Sequence, residues 1–104
     1  KGWLGDSRYA PARARRRASA GQGPRRIRAE LGQQGIGEAD AAEALVECDT
    51  DWTARARDLL ARRHTQADLA NPKIRNRAIA FLLRRGFDLE QARAALALLA
   101  DADR

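Results

Sequence analysis

The side chains able to do chemistry in this 104-residue chain are few in kind, and arginine dominates them. Arg13, Arg15, Arg16 and Arg17 form one run, Arg25, Arg26 and Arg28 follow the Gly21 to Gly23 stretch, and Arg84 and Arg85 stand just before Gly86. Guanidinium groups are permanently charged and present a planar fork that matches carboxylate and phosphate, so clusters of them suit recognition of an acidic partner. Arg16, Arg17, Arg25, Arg26, Arg28, Arg84 and Arg85 are the candidate contact residues. The competing reading is a solvated helix end, where cations complement the negative pole of the helix dipole.

No catalytic constellation accompanies these arginines. Cys48 and His64 fall on what read as different helices, and His64 follows Arg62 and Arg63 at a helix end without a second histidine or cysteine nearby. Glu43 and Glu47, one helical turn apart, lack the further ligand that a metal site needs and read as a solvated face. GQGPRR has neither the Gly-Lys-Ser/Thr continuation nor the preceding strand of a phosphate loop. We therefore expect a binding protein rather than an enzyme, with no cofactor and no metal.

Charge points the same way. The net charge is +6 and the pI about 10.9, which implies an acidic partner, nucleic acid or protein. Residues 1–28 carry nine basic groups and one acidic, residues 29–52 carry seven acidic and none basic, and residues 53–104 carry eleven basic and six acidic. A single cysteine excludes an internal disulfide, and no apolar run is long enough for a membrane span or secretion signal. A monomer in a reducing cytoplasm, with no membrane partner, is the expectation.

The elements that must position these groups read as helices. Gly23 and Pro24 mark a helix start, with Gly23 as N-cap, and Ile27 and Leu31 share one face. Gly35 then supplies a left-handed residue after the helix, and Ile36 folds back on Leu31. Before this segment, Asp6 or Ser7 caps a helix running from Ser7 to about Ala20 and fraying into a flexible corner. After it, Gly37 opens a helix to about Cys48 whose stripe is Ala41, Ala44, Leu45 and Cys48. Trp52, Ala56, Leu59 and Leu60 mark a further core face, although an aromatic such as Trp52 can also stack on a base. Thr65 to Asn71 reads as a loop, and Pro72 opens a helix carrying Ile74, Ala78, Phe81 and Leu82. Asp88 caps the last helix with Gln91 as capping-box partner, and Leu89, Ala92, Leu96 and Leu99 form its stripe, with Asp101 to Arg104 fraying.

Two parts of this pattern are alike. Ile27 matches Ala78, Leu31 matches Leu82, Gly35 matches Gly86, Ile36 matches Phe87, Ala41 matches Ala92, Ala44 matches Ala95 and Leu45 matches Leu96, all at one constant spacing. The expected fold is all-α: tandem three-helix-bundle repeats, elongated and curved, with six helices in two bundles. Leu31, Ile36, Leu45, Trp52, Leu59, Leu60, Phe81, Leu82, Phe87, Leu96 and Leu99 are the expected core.

GPRRIRAELGQQGI, the initial GWLGDSRYA and the late FLLRRGFDLEQARAAL together resemble the RecX family, bacterial regulators of the RecA recombinase. The resemblance implies a row of three-helix repeats, normally three, that binds the RecA filament on DNA and restrains its strand exchange, ATP turnover and growth. It places residues 1–5 at the end of a first repeat, the second repeat at 6–49 and the third at 50–104, and so implies a natural protein that begins earlier than Lys1. Arg13 departs from the family pattern, since relatives carry an apolar side chain one turn after Tyr9. The alternative, from charge and helices alone, is a basic DNA-binding module of helix-turn-helix type, and weak direct contact with nucleic acid is compatible with both.

Overall fold

The computed structural model describes residues 7–101, and all its regular elements are helical. A short 3-10 turn, Ser7–Tyr9, leads into α1 (Ala10–Ser19), followed by α2 (Pro24–Gln33), α3 (Glu38–Glu47), α4 (Trp52–Arg63), α5 (Gln66–Leu69), α6 (Pro72–Arg84) and α7 (Leu89–Asp101). The expected roles of residues 1–6 and 102–104 lie outside the described residues. The molecule is elongated, with extents of 51 × 23 × 19 Å.

Two cores lie along it. The first joins Ala10, Ala14 and Ala18 of α1 to Ile27 and Leu31 of α2, to Ile36 in the corner that follows, to Ala41 and Ala44 of α3, and to Cys48. The second joins Ala56 and Leu60 of α4 to Leu69 of α5, to Ala78 and Leu82 of α6, to Phe87, and to Ala92 and Ala95 of α7. Alanines at four-residue spacing let the helices approach closely, and the larger side chains fill the remaining space. Trp52, half-buried, packs against both cores.

The paired corners form as the spacing requires. Ile36 N–H donates to the Leu31 carbonyl and Phe87 N–H to that of Leu82, each at 3.0 Å, and Gly35 and Gly86 take φ of +90° and +103°. Asp51 caps α4 by accepting from Ala54 N–H at 3.0 Å, and Asp88 and Gln91 form the reciprocal box at the start of α7.

Five expectations are corrected. The first α-helix begins at Ala10, because Pro11 has no N–H and fits only the first turn, so the preceding residues form a 3-10 turn instead. The corner after it is not frayed: Gly21 has φ +94° and Gln22 N–H donates to the Arg17 carbonyl at 3.1 Å, a third ending of the same type. Thr65 to Asn71 is not a loop but contains α5, a seventh helix, whose Thr65 and Asp68 form a capping box and whose Leu69 enters the second core. Leu89 is 43% exposed, since as the first residue of α7 it precedes the buried stripe. Leu45, Trp52, Leu59, Phe81, Leu96 and Leu99 are only partly buried at the core margins, because the narrow bundles enclose mainly alanine.

The Asp68 carboxyl lies below its ordinary pKa, chiefly through the Thr65 N–H that donates to it at 2.9 Å. A depressed carboxyl contributes stability above its unfolded value that is lost as pH falls through the folded one, so α5 should loosen first on acidification. Amide exchange along a pH titration should show Thr65 and Asp68 losing protection before Leu82. Leu82 and Phe87 are fully buried, and Leu82→Ala or Phe87→Ala should cost about 2–5 kcal/mol in urea unfolding, whereas Leu89→Ala should stay within about 0.5 kcal/mol.

Candidate functional site

The arginine-rich corners of the two repeats meet at one joint. Gly23 N–H donates to the Arg85 carbonyl at 2.7 Å and Arg25 N–H to the Gly86 carbonyl at 2.9 Å. These donors are orphan N–H groups at the start of α2, and the acceptors are orphan carbonyls just beyond α6, so each helix end satisfies the other. Pro24, between the donors, has no N–H to leave unpaired. The positive pole of α2 thus faces the negative pole of α6.

Glycine is required on both sides of this contact. A Cβ on Gly23 would overlap the Gly86 carbonyl carbon and the Phe87 nitrogen, and one on Gly86 would overlap Arg26. Gly23 has an extended backbone that any residue can adopt, at φ −83° and ψ 169°, so its smallness is needed for approach and not for conformation. Arg85 completes the joint: its Nε donates to the Gly21 carbonyl at 3.1 Å and its Nη2 to that of Ala20 at 3.2 Å. The Phe81 ring steadies it, with the Arg85 guanidinium 5.9 Å and that of Arg63 4.1 Å from the ring centroid.

The remaining candidate arginines divide into two groups. Arg17 and Arg26 converge on Glu30, at 3.3 and 3.7 Å, where Gln22 Nε2 also donates, and Arg28 pairs with Glu38 at 2.7 Å. The Arg28–Glu38 pair is exposed and contributes under about 1 kcal/mol, while the half-buried Glu30 carboxylate guides Arg17 and Arg26 rather than locking them. Arg16, Arg25 and Arg84 are exposed, and their side chains make no hydrogen bond or ion pair in the described structure. They retain full charge toward solvent.

Sequence reasoning passed over several neighbours. Arg13 donates to Gln34 Oε1 at 2.9 Å, and these two residues with Arg16 and Arg17 line an open cleft of about 470 Å³. The four-residue spacing of Arg13 and Arg17 was the signal for their shared face. Arg55 and Arg62 of α4 line a smaller cleft of about 130 Å³ at the joint, beside Asp58, Gly21 and Arg85. No local signal marks those two, because only the joint brings them there. What this surface offers an acidic group is guanidinium charge, and among the described residues no cluster of histidine, cysteine or carboxylate could hold a metal. No described helix is long and apolar enough to cross a membrane.

Comparison with known proteins decides the relationship. The family model described as the second three-helix domain of RecX matches residues 6–45, and that of the third three-helix domain matches residues 49–96. The chain belongs to the RecX family. "Regulatory protein RecX" of Xanthomonas citri is 42% identical over 95 residues, covering 91% of this chain and 59% of that protein. The protein of the same name from Stenotrophomonas maltophilia (strain K279a) is 42% identical over 94 residues, with 90% and 58% covered, and that of Pseudomonas entomophila (strain L48) 38% over 90 residues, with 86% and 58%. The RecX-family chain thus spans somewhat more than half the length of the curated relatives it matches.

The joint predicts an asymmetry among glycines. Gly23→Ala should destabilise by about 1–3 kcal/mol, because backbone atoms cannot move aside as a flexible side chain would. Gly32 in α2 has open space where a Cβ would stand, so Gly32→Ala should stabilise by about 0.4–1 kcal/mol. Thermal unfolding of the two variants, read side by side, checks both signs.

Proposed function

We propose that this chain binds the RecA filament assembled on DNA and restrains it, lowering its recombinase, ATPase and coprotease activities, as a monomer in the bacterial cytoplasm and without enzymatic activity of its own. On this reading residues 1–5 close a preceding repeat, and 6–49 and 50–104 are successive binding units. The observation that carries it is the joint, which fixes the arginine clusters of both corners side by side and leaves Arg16, Arg25 and Arg84 without a partner in the described structure. An elongated body with exposed cations suits a groove lined by acidic groups.

Direct DNA binding is the second reading, supported by the open cleft lined by Arg13, Arg16 and Arg17, whose charges suit phosphate. Pull-down on RecA filaments formed on single-stranded DNA, beside bare DNA at equal salt, separates the two. Preferential capture by the filament is expected. Arg16→Glu combined with Arg25→Glu should keep full helicity, since both side chains are exposed, and weaken filament binding by about tenfold or more, corresponding to about 1.4 kcal/mol. The loss should shrink at high salt, where exposed charges are screened. Unchanged inhibition of strand exchange by the double variant would move the contact surface to another face.

A further inference from the structure

We propose that the cleft over the joint binds one phosphate group of a small molecule, free phosphate or the phosphate of a nucleotide, and that the bound anion pins the two repeats together. The first repeat contributes Ser19 and Gly21 to its wall, and the second contributes Arg55, Asp58, Arg62 and Arg85. The cleft therefore exists only while the repeats are docked. It is small, about 130 Å³ against about 470 Å³ for the cleft beside Arg13, which suits a single anionic group rather than a run of them.

Its cations are largely uncommitted. Arg55 and Arg62 stand two turns apart on one face of α4, both exposed, and neither makes a hydrogen bond or ion pair in the described structure. Arg85 spends Nε and Nη2 on the carbonyls of Gly21 and Ala20, which covers the negative pole of α1, and its Nη1 donates to nothing further in the described structure. The exposed Ser19 hydroxyl is likewise without a partner there. Against these stands one carboxylate, Asp58, which already accepts from Nε and Nη2 of Arg57 at 3.2 and 2.8 Å.

The donor set states the chemistry of the occupant. Guanidinium and hydroxyl groups line the space from α1, from α4 and from the corner after α6, and a tetrahedral phosphate accepts from several directions where a planar carboxylate does not. A free phosphate or a phosphate monoester also carries nearly two charges, so it gains more from three neighbouring cations than a carboxylate does. Arg16, Arg25 and Arg84 do not line the cleft, and a bound anion leaves them available to a partner. Because the anion meets both repeats only in the docked arrangement, its occupancy stabilises that arrangement by mass action. The competing fate of the cleft is internal: Asp58 leaves Arg57 and neutralises Arg62 or Arg85 itself.

The test titrates the 104-residue chain with inorganic phosphate and, separately, with AMP, each against chloride at constant ionic strength, and follows nitrogen-15 spectra. The Nε–H resonances of Arg55 and Arg62 and the Ser19 amide should move to saturation. Equal affinities for the two probes assign the site to the free ion, and tighter binding of AMP assigns it to a nucleotide. Arg55→Gln and Arg62→Gln should each weaken binding about tenfold, through loss of a charge-assisted hydrogen bond. Asp58→Asn should tighten binding about threefold by removing a like charge, and Arg75→Gln, outside the cleft, should leave it unchanged. Phosphate should raise the melting temperature of the chain but not of the variant lacking both Arg55 and Arg62. If a variant loses helicity, the resonances of the unsubstituted chain decide. Shifts as large at Arg16, Arg25 and Arg84, weaker binding in Asp58→Asn, an equal melting rise in both proteins, or binding of duplex DNA with none of either small anion would each overturn the proposal.

Discussion

Direct backbone contact between the Gly23 and Gly86 corners is the constraint on which the rest of this structure depends. A three-helix unit of about fifty residues removes little surface from water, and here the cores are mostly alanine, so neither bundle has much hydrophobic stabilisation in reserve. The joint adds what such units lack. It pairs orphan N–H groups of α2 with orphan carbonyls beyond α6, in a contact from which any Cβ would exclude them. Trp52 also ties the two bundles together by packing against both cores.

The charge pattern follows from the same thinness. Helices packed through alanine have narrow buried stripes, which leaves most of each surface to charged residues without burying any. Glu30 sorts the corner arginines, holding Arg17 and Arg26, while Arg25, on the same helix but a different face, points to water. Arg85 is spent on the carbonyls of Gly21 and Ala20, so it acts on binding by positioning its neighbours. Charge at this corner is therefore of two kinds, structural and available.

How far the sequence could be read depended on whether a residue's reason was local. Gly35, Gly86, Asp88 and Gln91 were legible because helix-terminal hydrogen bonds join residues three to five apart. α5 was equally local, with Thr65 and Asp68 at capping-box spacing, but its single turn has no periodicity to announce it. Gly23 shows the opposite case: its type was visible and a sufficient local explanation existed, yet the deciding contact lies with Gly86, far along the chain. The same distance hid Arg55 and Arg62 from the candidate site.

One helix ending, used three times, does two different things. After α1 the residue that folds back is Gln22, whose amide reaches Glu30 and so serves the charged corner; after α2 and α6 it is Ile36 and Phe87, which enter the cores. The backbone geometry is held constant while the side chain selects core or surface. Because the joint is made from that constant backbone, it does not rely on exposed ion pairs that salt would weaken. The backbone positions that carry the available arginines are therefore held without help from ion pairs, and a partner that matches them loses less free energy to ordering than it would on a flexible basic arm.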